Sequence, residues 1–137
     1  MTAHAVTASP LKRSLIAILL LASASTALAQ NAGLRRSVVQ KNDVSVEGRE
    51  AVVARVEIDP GVQAGRHSHP GDEISYVLEG EGELLVDGEP PRHLKAGEAF
   101  VIPAGKVHDA RNTGSAVMRL VGVYVVEKGK PLATPAK

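Results

Sequence analysis

Between residues 51 and 127 the chain is cut into short apolar runs by glycine, proline and Asp-Gly or Asn-Thr-Gly corners, and this punctuation restricts the fold more than any other feature. AVVARVEI at 51–58 sets Val52, Ala54, Val56 and Ile58 on one side at period two, then stops at Asp59-Pro60-Gly61. ISYVLEG, ELLVDGEPPRHL, EAFVIPAG and AVMRLVGVYVVE follow, divided by turn signals such as Asp87-Gly88 and Asn112-Thr113-Gly114. No segment after residue 29 keeps a helical period over ten residues. Short strands with turn signals every ~8–12 residues predict an all-β sandwich or barrel. The run at 116–126 is apolar at nearly every position, which predicts a strand covered on both faces, with Arg119 as the charged exception. Residues 30–46 read as an N-terminal arm with a short strand near Arg36 to Gln40, residues 47–127 as one barrel domain, and residues 128–137 as a C-terminal tail lying loosely on the surface.

The first 29 residues are of a different kind. Lys12 and Arg13 precede an apolar stretch that ends in the small-x-small triplet Ala27-Leu28-Ala29, the pattern of a secretory signal peptide cleaved after Ala29. The stretch is shorter than the ~20 apolar residues that a span requires, so no stable membrane span is expected after processing. The expected location is the periplasm or the exterior. Cleavage would remove two basic residues and no acid, taking the formal charge from +1 to −1. With that balance, and with Tyr76, Phe100 and Tyr124 as the only aromatic side chains, nucleic acid is excluded as a partner. The chain has no cysteine, so an exported domain must be held by its sheet or by a bound metal rather than by disulfides.

Four histidines remain beyond the signal: His67, His69, His93 and His108. On an extended strand residues two apart project from one face, so His67 and His69 point to a common centre. Pro70-Gly71-Asp72 then reverses the chain and brings Glu73 beside that centre, and His108 follows the Pro103-x-Gly105 turn on a later strand. Three imidazoles and a carboxylate form a donor set for a divalent transition metal. The same residues would also serve as a hydrogen-bonded polar cluster at a barrel mouth, and local spacing does not separate the two.

A longer pattern carries a resemblance that bears on the choice. Residues 61–80 run Gly61, five residues, His67-x-His69, three residues, Glu73, six residues, Gly80, and residues 97–112 run Gly97, five residues, Pro103-x-Gly105, two residues, His108, three residues, Asn112. These resemble the two sequence motifs of the cupin superfamily at every fixed position, in the manner of a small single-domain cupin. The resemblance implies a jelly-roll, or double-stranded β-helix, barrel. It also implies that His67, His69, Glu73 and His108 bind one metal ion within it, whether manganese, iron, nickel, copper or zinc. Gly61, Gly80, Gly97 and Gly105 are expected at tight turns. His93 lies in neither motif and reads as a surface residue.

The fold does not choose a reaction. The expected function is an exported metal-binding cupin acting on a small organic molecule, with dioxygenase-type oxidation as one form and capture without turnover as the other. Glu73 is the candidate catalytic carboxylate, alternating between ligand and base. Arg119 is the candidate substrate-binding residue if it faces the cavity, where its guanidinium would hold a carboxylate through two parallel bonds. The opposed and preferred placement has it outward against a surface glutamate. Pairing as a homodimer, through residues 30–50 or an outer sheet, is expected from the resemblance.

Overall fold

The computed structural model describes residues 32–137, and the signal sequence predicted at 1–29 lies outside the described residues. All regular structure described is β. The strands are β1 (Leu34–Asp43), β2 (Arg49–Ile58), β3 (His67–Ser68), β4 (Gly71–Glu79), β5 (Glu81–Val86), β6 (Arg92–Lys95), β7 (Ala99–Ile102), β8 (His108–Asn112), β9 (Met118–Glu127) and β10 (Thr134–Pro135). They form two antiparallel five-stranded sheets, ordered β1-β2-β9-β4-β7 and β10-β3-β8-β5-β6. The inner faces of both sheets meet in the core, which makes this the expected jelly roll.

Period two explains the faces. Val52, Ala54, Val56 and Ile58 are all buried, as their alternation predicts. Val56 and Ile58 join Val77, Leu84, Phe100 and Leu120 in the main apolar cluster between the sheets, while Val52 and Ala54 pack with Tyr124 and Val126 in a second cluster. Strand β9 departs from expectation. Its residues alternate between buried and half-buried from Met118 to Glu127, so one face is in the core and the other is only partly covered. Valine at the outer positions reflects β propensity within a central strand flanked by β2 and β4, not a second core.

Two ends of the chain are more integrated than composition suggests. Residues 34–43 form the full-length strand β1 against β2, in register from Leu34 with Ile58 to Asp43 with Glu50 apart from a bulge between Val38 and Gln40. In the C-terminal segment, Thr134 and Pro135 pair with Ser68 and His67, and Leu132 packs on Tyr124's cluster. Backbone hydrogen bonding recruits segments whose side chains are mostly exposed, and a hydropathy pattern is blind to that.

Glycine sets the geometry beneath the site. Gly61, Gly80, Gly97 and Gly105 all adopt positive φ, as expected of their turns. Gly71 opens β4 where a Cβ would stand 2.0 Å from the Val125 carbonyl oxygen, and Gly122 leaves room for the Tyr124 ring, whose Oη would be 2.6 Å from an added Cβ. The first lets β4 close onto β9 two residues before Glu73, and the second lets Tyr124 lie flat along the inner face.

Candidate metal centre

His67 and His108 are directly paired across β3 and β8. Glu73 comes from the opposite sheet, where it is in register with Ile102 and Tyr124. His69 follows β3 in the crossing between the sheets. The turn of the second motif is tied to the first, because the Gly105 N–H donates to the His69 carbonyl at 2.9 Å and the Ala104 N–H donates to Asp72 Oδ1 at 3.0 Å. Asn112, the last motif residue, is structural: its buried amide donates to the carbonyls of Ile58 and Ala116 and accepts from the Gly114 N–H.

Each imidazole is held from behind in the same way. Nδ1 of His67 lies 2.6 Å from the Gly65 carbonyl, Nδ1 of His69 is 2.6 Å from the Leu132 carbonyl, and Nδ1 of His108 is 3.0 Å from the Lys106 carbonyl. A carbonyl only accepts, so each Nδ1 carries the proton and each Nε2 turns its other side to the interior. Asp109 Oδ1 accepts the Gly65 N–H at 2.9 Å and so fixes the carbonyl that orients His67.

The three rings form a compact group, with centroids 4.4 Å apart for His67 and His108, 4.8 Å for His67 and His69, and 5.2 Å for His69 and His108. One ligand atom from each of the three lies within 4.8 Å of the others, a group that could hold a metal ion. Glu73 Oε2 faces it, 3.0 Å from His69 Nε2 and 3.1 Å from His108 Nε2. Ser75 Oγ donates to Glu73 Oε1 at 2.6 Å and leaves Oε2 for the centre.

Carboxylate oxygen and imidazole nitrogens so disposed demand a positive charge between them. A proton supplies part of it. Burial works against charge on His108, but the hydrogen bonds to Glu73 and the Lys106 carbonyl, with the charges of Glu73 and Asp109, together outweigh it and raise the imidazole above its ordinary range. Burial would likewise raise Glu73, yet His108, the adjacent His69 ring and the Ser75 hydroxyl together hold it well below the usual carboxylate range. For His67 burial wins and the ring is lowered to about 4, so it stays neutral and able to coordinate. One demand is left unmet by protons: His69 Nε2 is buried, close to Glu73 but not aligned with it, and makes no hydrogen bond. Two donors about 2.1 Å from one ion, at right angles, stand about 3 Å apart, which matches the contacts of Glu73 with His69 and His108. The residues therefore fit a divalent metal.

The centre opens on a small cavity of ≈ 30 Å³, with walls that include Val56, Ile58, Leu84, Phe100 and Leu120. Tyr124 also lines it, packed 4.7 Å from the His69 ring. Arg119 does not. Its side chain sits on the half-exposed face of β9, with Nε 3.2 Å from Glu57 Oε1 and a second ion pair to Glu79, so the substrate-binding role considered for it is corrected to a surface ion-pair role. An inward arginine would need the opposite parity on β9, where Met118 and Leu120 are buried. His93 is on the surface, 58% exposed at the side chain and 3.6 Å from Glu81. Three contributors escaped sequence reasoning: Leu132, whose carbonyl orients His69; Ser75, which shares the inner face of β4 with Glu73; and Arg36, which lines the cavity from β1. For Ser75 the signal was available, because it lies two residues from Glu73 on the same strand.

Residues 54–126, more than half of the chain, match the family model described as the cupin domain. Among curated proteins, the chain is 42% identical over 55 residues to dimethylsulfoniopropionate lyase DddQ of Ruegeria pomeroyi, covering 40% of this chain and 27% of that protein. It is 30% identical over 83 residues to an oxalate-binding protein of Thermotoga maritima, covering 60% of this chain and 68% of that one. The chain thus spans about a quarter of the lyase and about two thirds of the oxalate-binding protein. Among solved structures, an uncharacterized protein with a double-stranded β-helix domain from Klebsiella pneumoniae superposes with a TM-score of 0.62 at 29% identity, covering 77% of this chain and 88% of that one.

Proposed function

The chain belongs to the cupin family, and on that premise we propose that it is an exported metal-binding cupin that takes a small organic molecule at one divalent transition metal held by His67, His69, Glu73 and His108. The observation that carries this is the convergence of imidazole Nε2 atoms on Glu73 Oε2, with every ring tied through Nδ1 to a backbone carbonyl. A bound ion of this kind supplies a Lewis acid, or a redox centre where the metal allows, with positions left for a ligand.

The chain's own residues do the rest. The Gly65, Leu132 and Lys106 carbonyls keep the tautomer that coordination requires. Ser75 steadies Glu73, and Glu73, when it is not engaged as a ligand, is the base within reach of a substrate proton. The apolar wall limits water around the ligand. Dioxygenase-type oxidation is the catalytic form of this reading. Capture without turnover is a second form, favoured by the similarity to an oxalate-binding protein that the chain covers over 68% of its length. The relatives' names point both ways, one to a lyase and one to a binding protein.

Export to the periplasm or beyond rests on the charged, apolar and small-x-small sequence of residues 12–29. Homodimer formation rests on an apolar patch on the outer face of β4 and β7, where Ile74 is directly opposite Val101 and Tyr76 and Leu78 continue the strip, all between 41% and 62% exposed.

Elemental analysis tests the centre. One metal per chain is expected in the unmodified protein and in His93→Ala, with most of it lost in His67→Ala and His108→Ala. Equal occupancy in His67→Ala and His93→Ala would overturn the site. Oxygen uptake and substrate consumption by the metal-loaded protein, over a panel of phenolic and carboxylic compounds, then separate turnover from capture.

A further inference from the structure

The cavity contains an arginine that metal binding leaves without a role. Arg36 is opposite Val56 in the β1–β2 register and two residues from the buried Leu34, while Arg35 between them turns outward to Glu57 and Asp59. Its side chain lines the cavity with His67, Glu73 and Tyr124, where its charge acts on the His67 ring and its guanidinium donates to the Tyr124 hydroxyl. Its Nε is buried and makes no hydrogen bond. Arg35, Arg66, Arg111 and Arg119 each have a carboxylate partner. Among the described residues no carboxylate lies within ion-pair distance of Arg36. Glu73, the acid of the cavity wall, is instead engaged by Ser75 and the histidines.

A partly buried guanidinium without a counter-ion is costly, and an anion bound in the cavity would supply one. We propose that Arg36 anchors a carboxylate, so that the ligand of this cavity is a short organic acid lying between the guanidinium and the histidine group. A guanidinium presents paired N–H groups as a fork, which matches the two oxygens of a carboxylate and no neutral amide. At ≈ 30 Å³ the cavity restricts the acid to the smallest of its class, and benzoate is too large for it. The far end of the ligand depends on the metal centre proposed above, whereas the contact with Arg36 does not.

The test is calorimetric titration of the metal-loaded protein with formate, acetate, glycolate, oxalate, malonate and benzoate, and with acetamide and oxamide as neutral counterparts. Metal content is measured in every sample. At least one acid should bind, and its amide should bind at least about 30-fold more weakly. Arg36→Gln should weaken the acid by about 30-fold or more with metal content unchanged, and Arg36→Lys should recover part of the loss because it keeps the charge without the fork. Binding of the acids to Arg36→Gln within about threefold of the unmodified protein would overturn the proposal, as would failure of every acid to bind. Because the acid and amide comparison is made on the unmodified protein, it stands even if a variant folds poorly. Should the unmodified protein hold no metal, the metal centre has failed. The same titration of metal-free protein then decides Arg36 alone: dependence on it sustains the inference and independence ends it.

Discussion

In protein stripped of metal by chelator, His67 should make stability fall as pH falls through the weakly acidic range. Its imidazole is held at about 4 in the folded chain, first by burial and then by the neighbouring His108 and His69 rings, against an ordinary 6.5. The unfolded chain therefore binds the proton more readily than the folded one between those values. Stability is complete above pH 6.5, declines as pH falls from 6.5 toward 4, and changes no further on this account below that. At about 1.4 kcal/mol per pH unit the whole gap corresponds to about 3 kcal/mol. The ring is only partly buried, so solvent screening reduces the expected loss to about 2 kcal/mol. His108 acts in the opposite sense: Glu73 raises it, so its contribution is present below pH 6.5 and lost as pH rises through its folded value. Urea unfolding at pH 7.5, 6.5, 5.5 and 4.5, in chelator, on unmodified protein and on His67→Ala separates the two. The difference in unfolding free energy between them should shrink by about 2 kcal/mol from the highest to the lowest pH. A difference that stays constant across the series would refute the view that a partly buried, neutral His67 is built into the fold.

Arg119→Ala should cost less than about 1 kcal/mol in urea unfolding and leave metal content and acid binding unaltered, because its ion pairs with Glu57 and Glu79 are on the surface; loss of ligand binding would return it to the cavity. Tyr76→Glu should convert a dimer to a monomer in sedimentation velocity, since it puts a charge in the middle of the patch formed with Ile74, Leu78 and Val101. An unmodified protein that sediments as a monomer would count against the interface outright. Intact mass of protein recovered from its native envelope should correspond to a chain beginning at Gln30, and a mass that retains residues 1–29 would argue against processing.

Strand identity was legible because a half-buried strand writes its environment into alternate residues, and Val52 through Ile58 illustrate it. The motif histidines and Glu73 were legible because their spacing encodes turns, and Pro70-Gly71-Asp72 and Pro103-x-Gly105 do bring the donors from two sheets to one place. Where hydropathy and pairing separate, local sequence is silent. The C-terminal segment looks like a loose tail, yet its backbone pairs with β3 and Leu132 supplies the carbonyl that orients His69, a contact set by hydrogen bonding and invisible in side-chain character. Arg119 and Arg36 show the same division. Each is one charge within a strand, and what differs is which face carries it. On β9 parity alone turns Arg119 out beside Glu57 and Glu79, whereas on the largely exposed strand β1 no apolar alternation announces that Arg36 turns in. Sequence determined the strands, their turns and the donor types, because those follow from each residue's own chemistry and its near neighbours. Only the closure of two sheets decided which donors share a centre and which arginine lines the cavity beside it, because burial and the pairing of charge are properties of contacts between residues far apart in the chain.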